Sequence, residues 1–197
     1  MPEYAADTLT ERENARIIKT AVTPRPIAWI SSRDADGNEN LAPFSSYNYV
    51  VNSDPVIMFT SPAPDSGSMK DTARNILETE EFAVNVVTAT DLETMDRTAA
   101  SLPAEESEFD YADVAKAPCR HIEPDRVEDA AVTMECTLYD TLEIRGKLMI
   151  LGDVIHYHIA ERTLRDGNID SREVDTVGRL GGPYYTVAVP EDFERQF

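Results

Sequence analysis

The sequence predicts a mainly β fold, a mostly antiparallel barrel with peripheral helices, in one domain covering residues 1–197. Short apolar, β-rich runs outnumber amphipathic helical stretches, and they are not spaced as βαβ units. A length of 197 residues with 42% hydrophobic content also suffices for one substantial core.

Residues 8–19 place Leu9, Ile17 and Ile18 among charged side chains, with Thr10 and Glu13 in capping-box spacing, which predicts a short amphipathic helix. It stops before Thr23-Pro24-Arg25-Pro26. The run Ile27–Ser32, the turn Asp34-Ala35-Asp36-Gly37 and a second run leading to Asn40-Leu41-Ala42-Pro43 read as a β-hairpin. Pro55–Thr60 is a short apolar strand ending in a Pro- and Gly-bearing loop from Ser61 to Met69. A helix over 71–79 follows, with Asp71 and Thr72 as cap candidates and Ile76 and Leu77 toward the core. Next come the strand Phe82–Val87 and a polar helix near 91–100, whereas 101–127 carries weak signals. Val132–Tyr139 and Ile144–Ile159 read as long meander strands, the second bent or bulged at Gly152.

Charge narrows the partners. The chain has 37 acids against 18 bases, a net charge of −19, and its acids are scattered rather than gathered in a tail. A field of that sign repels polyanions, so neither nucleic acid nor an anionic membrane is expected as partner. Only Lys19, Lys70, Lys116 and Lys147 are lysines. Such a surface suits a salt-loving cell, because at about 1 M salt the Debye length is near 3 Å and self-repulsion is screened. No run approaches the roughly 18 apolar residues of a membrane helix, and Met1-Pro2-Glu3-Tyr4 is no signal-peptide start, so a cytoplasmic location is expected. Cys119 and Cys136 are too few and too far apart for a C-x-x-C pair or a zinc cage, and read as buried thiols of a reducing compartment.

Among chemical signatures, no G-x-G-x-x-G follows a strand, and there is no Walker A loop or Gly-x-Ser-x-Gly elbow. His156 and His158 stand two apart on a predicted strand and share a face. With one other His, at 121, and no fixed third ligand, no metal site is expected.

Several motifs in order are more specific than any of these. They are Thr23-Pro-Arg-Pro-Ile-Ala-Trp-Ile-Ser-Ser32, Asn40-Leu-Ala-Pro-Phe-Ser-Ser46, Lys70-Asp-Thr-Ala-Arg-Asn75, Glu80–Asn85, Ser107–Asp110, Glu135-Cys136 and Gly178–Tyr185. From about residue 15 to 188 the chain resembles the flavin reductase-like, FMN-binding split-barrel family, particularly its flavoredoxin-type branch. The resemblance implies a mostly antiparallel split β-barrel of the FMN-binding type. It implies FMN as cofactor, NAD(P)H as electron donor, and a homodimer whose chains both shape each site. Hydride would pass from NAD(P)H to flavin, and electrons onward to an acceptor that no residue identifies. A flavin-binding electron carrier without substantial NAD(P)H activity would show the same cofactor motifs, and a barrel that has lost its ligand is the third alternative.

The resemblance places the flavin against Arg25, Pro26, Ile27, Ala28 and Trp29, against Asn40, Leu41 and Ala42, against Ser45, Ser46 and Asn48, and against Lys70 and Thr72. The residue chemistry is compatible. Pro24 and Pro26 fix their own φ and bias their predecessors to extended geometry, which leaves an edge free to face a ring's polar rim. Trp29 serves either as a ring wall or as core. Lys70 precedes a helix whose first amides are unpaired and partly positive, which suits a phosphate, and otherwise it is a solvated loop charge. Ser45 and Ser46 offer hydroxyls, Arg25 is the alternative cation, and Asn40 and Asn48 either bond the flavin or serve turns. His158 and Tyr184 are assigned to the nicotinamide side, or else pack on the barrel rim.

Overall fold

Thr10 opens the first helix, α1 (Glu11–Ala21), with the capping box its spacing predicts: the Thr10 N–H donates to Glu13 Oε2 at 2.9 Å, and the Glu13 N–H returns to Thr10 Oγ1 at 3.3 Å. The structure, a computed structural model, describes residues 1–191 except Ser68 and Ala104, and the backbone alone of Ser66. Part of the Ser61–Met69 loop and the last six residues of the expected domain therefore lie outside the described residues.

Seven strands build the main sheet: β1 (Ala28–Arg33), β2 (Glu39–Phe44), β3 (Tyr47–Val51), β4 (Val56–Pro62), β5 (Glu81–Val86), β6 (Val132–Ile144) and β7 (Lys147–Ile159). Their order is β2-β1-β5-β6-β7-β4-β3, and every pairing is antiparallel. The two edge strands, β2 and β3, are consecutive in the chain and joined only by Ser45-Ser46. A sheet whose edges are tied by so short a link must curl until they meet at one corner, yet no β2–β3 ladder is formed among the described residues. The result is a barrel split at that corner, as the sequence predicts.

Burial follows the curl. In β4, Ile57, Phe59 and Ser61 point inward while their neighbours are half-buried, the period of two expected of a sheet with one covered face. Ile30, Phe59, Phe82, Val84, Cys136 and Ile150 fill the interior, closed by Ala73 and Ile76 of α2 (Asp71–Thr79). β1 and β5 are buried on both faces because a second layer covers them outside: Trp29, Leu41 and Val87 pack on Met95 of α3 (Leu92–Arg97) and Phe109 of α4 (Glu108–Ala112). Arg25–Pro26 leaves the barrel to pair with Val177–Arg179, which in turn pairs with Tyr185–Val187.

Several boundaries differ from expectation, among them the start of β7, which is Lys147 and not Ile144. β4 continues to Pro62 because Ser61 and Pro62 pair with Leu148 and Lys147, so the expected loop starts later. β6 runs to Ile144 instead of Tyr139. Its last residues are mostly exposed and lack a burial period, but Arg145-Gly146, both at positive φ (48° and 73°), make the tight turn that brings β7 back on them. The helix expected near 91–100 is shorter, and the weak 101–127 stretch contains α4. Gly152 is a register shift as expected, and a Cβ there would lie 2.4 Å from the Phe82 ring.

Candidate functional site

The hairpin β1–β2 and the start of α2 create a cleft. Asn40 on β2 is buried, and its amide donates to Thr72 Oγ1 at 2.8 Å. This ties the first turn of α2 to the strand edge. Lys70 is the N-cap residue, exposed, and no side-chain hydrogen bond caps the helix. Asp71 and Thr72, the expected caps, lie one and two positions inside: Asp71 pairs with Arg74 at 2.5 Å, and Thr72 serves Asn40. Among the described residues, the first-turn N–H groups of this nine-residue helix thus have no side-chain acceptor and sit beside a lysine, a donor set that suits a dianionic phosphate.

The space beside them measures about 160 Å³ and is bordered by Asn40, Ala42, Phe44, Lys70, Thr72, the Thr98–Leu102 segment and Glu108. Complete sites for ligands of cofactor size usually run from about 300 Å³ upward, so this cleft by itself is smaller than such a site. A second, mainly apolar groove of about 250 Å³ follows Pro24, Arg25 and Pro26 along Val177, Gly178 and Ala188. A larger depression of about 490 Å³ is framed by Arg33, Asp34, Asp36, Glu81 and Glu123, an acidic rim unsuited to an anion.

Glu108 was only a motif position in the sequence. Its carboxylate accepts the Leu41 N–H at 3.0 Å, and burial pushes its pKa up, with that hydrogen bond only partly opposing. Proximity to the cleft follows from α4 packing on β2, a tertiary contact that no local pattern announces.

The other expected site residues divide. Asn40, Ala42, Lys70 and Thr72 meet at the cleft, and Arg25 and Pro26 border the apolar groove. Ile27, Ala28, Trp29 and Leu41 are buried in the two cores. The Trp29 indole N–H donates to Thr98 Oγ1 at 2.9 Å, which makes its side chain a support behind the Thr98–Leu102 wall. Arg25 donates to the carbonyls of Lys19 (2.7 Å), Val22 (3.0 Å) and Leu180 (3.2 Å), so its guanidinium closes the end of α1. Ser45 is half-buried in the β2–β3 link, Ser46 Oγ donates to the Thr60 carbonyl at 3.0 Å, and Asn48 Oδ1 accepts the Tyr49 N–H. Tyr184 is two-thirds exposed.

His158 has a different neighbourhood. Its Nε2 lies 2.5 Å from Oε1 of Glu135, which is fully buried on β6. Burial raises the Glu135 pKa, but the Arg120 N–H, the His158 imidazole and the His121 N–H more than offset it and hold the carboxylate below its usual range. The Cys119 thiol beside it is pushed up to about 12, by burial first and by Glu135 second.

Comparison with known proteins agrees with this architecture. The family model described as "Flavin reductase like domain" matches residues 20–174. An uncharacterized protein of Halalkalibacterium halodurans is 35% identical over 185 residues, 91% of this chain and 88% of its own. The chain is also similar to the crystal structure of nitrilotriacetate monooxygenase component B from Bacillus cereus, with a TM-score of 0.91 at 29% identity, covering 99% of this chain and 98% of that one. For the 2-nitrobenzoate 2-nitroreductase of Pseudomonas fluorescens the TM-score is 0.85 at 26% identity, over the whole of both chains. A match over more than half its length, on a split barrel with an uncapped helix start beside its hairpin, places this chain in the flavin reductase-like family of flavin-linked oxidoreductases.

Proposed function

We propose that the protein is an FMN-binding oxidoreductase that transfers a hydride from NAD(P)H to flavin and works as a cytoplasmic homodimer. The observation that carries the FMN reading is Lys70 at the uncapped start of α2, held against the hairpin by the Asn40–Thr72 bond. FMN ends in a terminal phosphate, and a lysine with free first-turn amides holds such a group by charge-assisted hydrogen bonds. With the Arg25 guanidinium engaged on three carbonyls, Lys70 supplies the cation. Ala42 and Phe44 border the adjoining chain, and the extended Pro24–Pro26 edge faces the ring.

A bound flavin accepts a hydride and passes electrons onward. The protein's part is to bind, orient and exclude water, which accounts for a site without an acid–base triad. The names of the two structural neighbours, a monooxygenase component and a nitroreductase, support redox chemistry of this class.

Exposed apolar side chains support the dimer. Tyr49 and Val51 of β3 and Ile155, Tyr157 and Ile159 of β7, beyond the part of β7 that pairs with β4, are 40–64% exposed. Patches of that kind mark surfaces covered by another chain. No helix among the described residues is long and apolar enough to cross a membrane.

The deciding experiment is a visible spectrum of protein purified in molar salt, before and after FMN and then NADH or NADPH without oxygen. Flavin bands that bleach within the mixing time support the reductase. Bands that persist reduce the reading to an electron carrier, and absence of flavin binding overturns it.

A further inference from the structure

We propose that Cys119, Glu135 and His158 form a site for one zinc-class transition-metal ion, separate from the flavin cleft. The Cys119 Sγ, a Glu135 carboxylate oxygen and a His158 ring nitrogen all lie within 4.8 Å of one another. They come from three parts of the chain: the segment before Pro124, β6 and β7. None of them borders the Asn40–Lys70 cleft.

The cluster is held in place before any ion arrives. Glu135 is fully buried, and its two oxygens accept the N–H groups of Arg120 (2.7 Å) and His121 (2.8 Å). Those residues directly follow Cys119, so the bonds that orient the carboxylate also fix the thiol against it. The segment is anchored further on, where Ile122 is buried and the Glu123 N–H donates to Glu81 Oε2 at 2.8 Å. Ligand atoms fixed by a surrounding shell are the mark of a metal-binding geometry. The other two imidazoles gather at the same place: His156 stands edge-on to His158 at 5.0 Å between ring centroids, and His121 to His156 at 4.9 Å. All three histidines of the chain and one of its two cysteines therefore converge. The sequence shows His156 and His158 on one strand face; of that pair only His158 joins the cluster, and the fold supplies Cys119 and Glu135 as its other two members.

One sulfur, one nitrogen and one oxygen select a borderline ion such as Zn²⁺ or Co²⁺ over Mg²⁺ or Ca²⁺, which prefer oxygen alone. Bonds of about 2.0–2.3 Å put tetrahedral ligands about 3.4–3.7 Å apart, so side-chain rotations of about 1 Å that draw Cys119 in and part His158 from Glu135, now 2.5 Å apart, form the site. On binding, the Cys119 thiol loses its proton to solvent, and the proton between His158 Nε2 and Glu135 leaves that nitrogen, the neutral ring keeping its N–H on Nδ1 and an imidazolium giving its second proton to solvent. The thiolate and carboxylate then neutralise the 2+ charge, with one coordination position left for water or an external ligand.

The test is metal loading of the intact protein after removal of adventitious ions with EDTA. Wild type is expected to retain one Zn²⁺ per chain through desalting, and with Co²⁺ to show tetrahedral bands at wavelengths longer than oxidised flavin absorbs. Cys119→Ser, nearly isosteric, is expected to lose at least tenfold in affinity together with the thiolate-to-cobalt charge-transfer band, while circular dichroism stays unchanged. His156→Ala is expected to keep both. Glu135→Gln is expected to lose zinc as well, and should it fail to fold, Cys119→Ser decides alone. Failure of wild type to retain zinc, retention undiminished in Cys119→Ser, or loss in His156→Ala with retention in Cys119→Ser, the sign of adventitious binding to surface imidazoles, overturns the site.

Discussion

Asn40 and Thr72 are joined side chain to side chain across 2.8 Å in a buried position, a bond between the second strand and the first turn of α2. It sets where the uncapped helix start lies relative to the hairpin. Thr72→Val keeps the shape and removes the acceptor, leaving a buried amide unpaired at a cost of about 1–3 kcal/mol. We expect a lower melting temperature and weaker FMN binding in a fluorescence titration, both restored in Thr72→Ser.

Lys70 is exposed and makes no capping bond, so its removal tests binding with little effect on folding. Lys70→Ala is expected to weaken FMN by about ten- to a hundredfold, the equivalent of one charge-assisted hydrogen bond of about 1.5–3 kcal/mol. Riboflavin, which lacks the phosphate, should bind wild type and variant alike. Equal loss for both ligands would remove Lys70 from the phosphate.

Gly152 sits where β7 shifts register, and a Cβ there meets Phe82 Cζ at 2.4 Å. Phe82 is fully buried against Phe59, with ring centroids 5.9 Å apart. Gly152→Ala should therefore cost about 1–3 kcal/mol by overpacking, read as a lower denaturant midpoint at unchanged slope.

Glu108 gives a pH dependence of defined sign. Burial raises its folded pKa above the unfolded value, so the folded state binds the proton more tightly. Its contribution to stability is complete at and below the usual carboxylate range, and falls as pH rises through the raised folded value. Glu108→Gln retains an acceptor for the Leu41 N–H and cannot ionise. The difference between wild-type and variant midpoints is expected to shift in the variant's favour as pH rises across that window, and a constant difference would show that Glu108 does not titrate there.

The net charge of −19 predicts a strong response to salt. Self-repulsion screened at about 1 M KCl returns as the Debye length grows to about 10 Å at 0.1 M, so the melting temperature should climb steadily over that range. A flat profile would show that the acidic surface is not adapted to salt.

Much of the fold is legible in local pattern. The Thr10–Glu13 capping box, the Asp34–Gly37 turn, the start of α2 at Asp71 and the irregularity at Gly152 each depend on residues close in the chain, so sequence spacing finds them. The end of β6 was missed because residues 140–144 are mostly exposed and carry no burial period; only their partners on β7 make them a strand.

By itself, the sequence determined the antiparallel character of the fold, the family resemblance and an acidic surface, since composition and short-range spacing encode these. Tertiary structure alone decided how side chains far apart in the chain are used. It buried Trp29 against Thr98, engaged Arg25 on three carbonyls, brought Glu108 to the lining of the cleft, and brought Cys119 and Glu135 to His158. Each of these contacts spans two or more elements whose separation is set by sheet curl and loop anchoring, and no local periodicity records that distance.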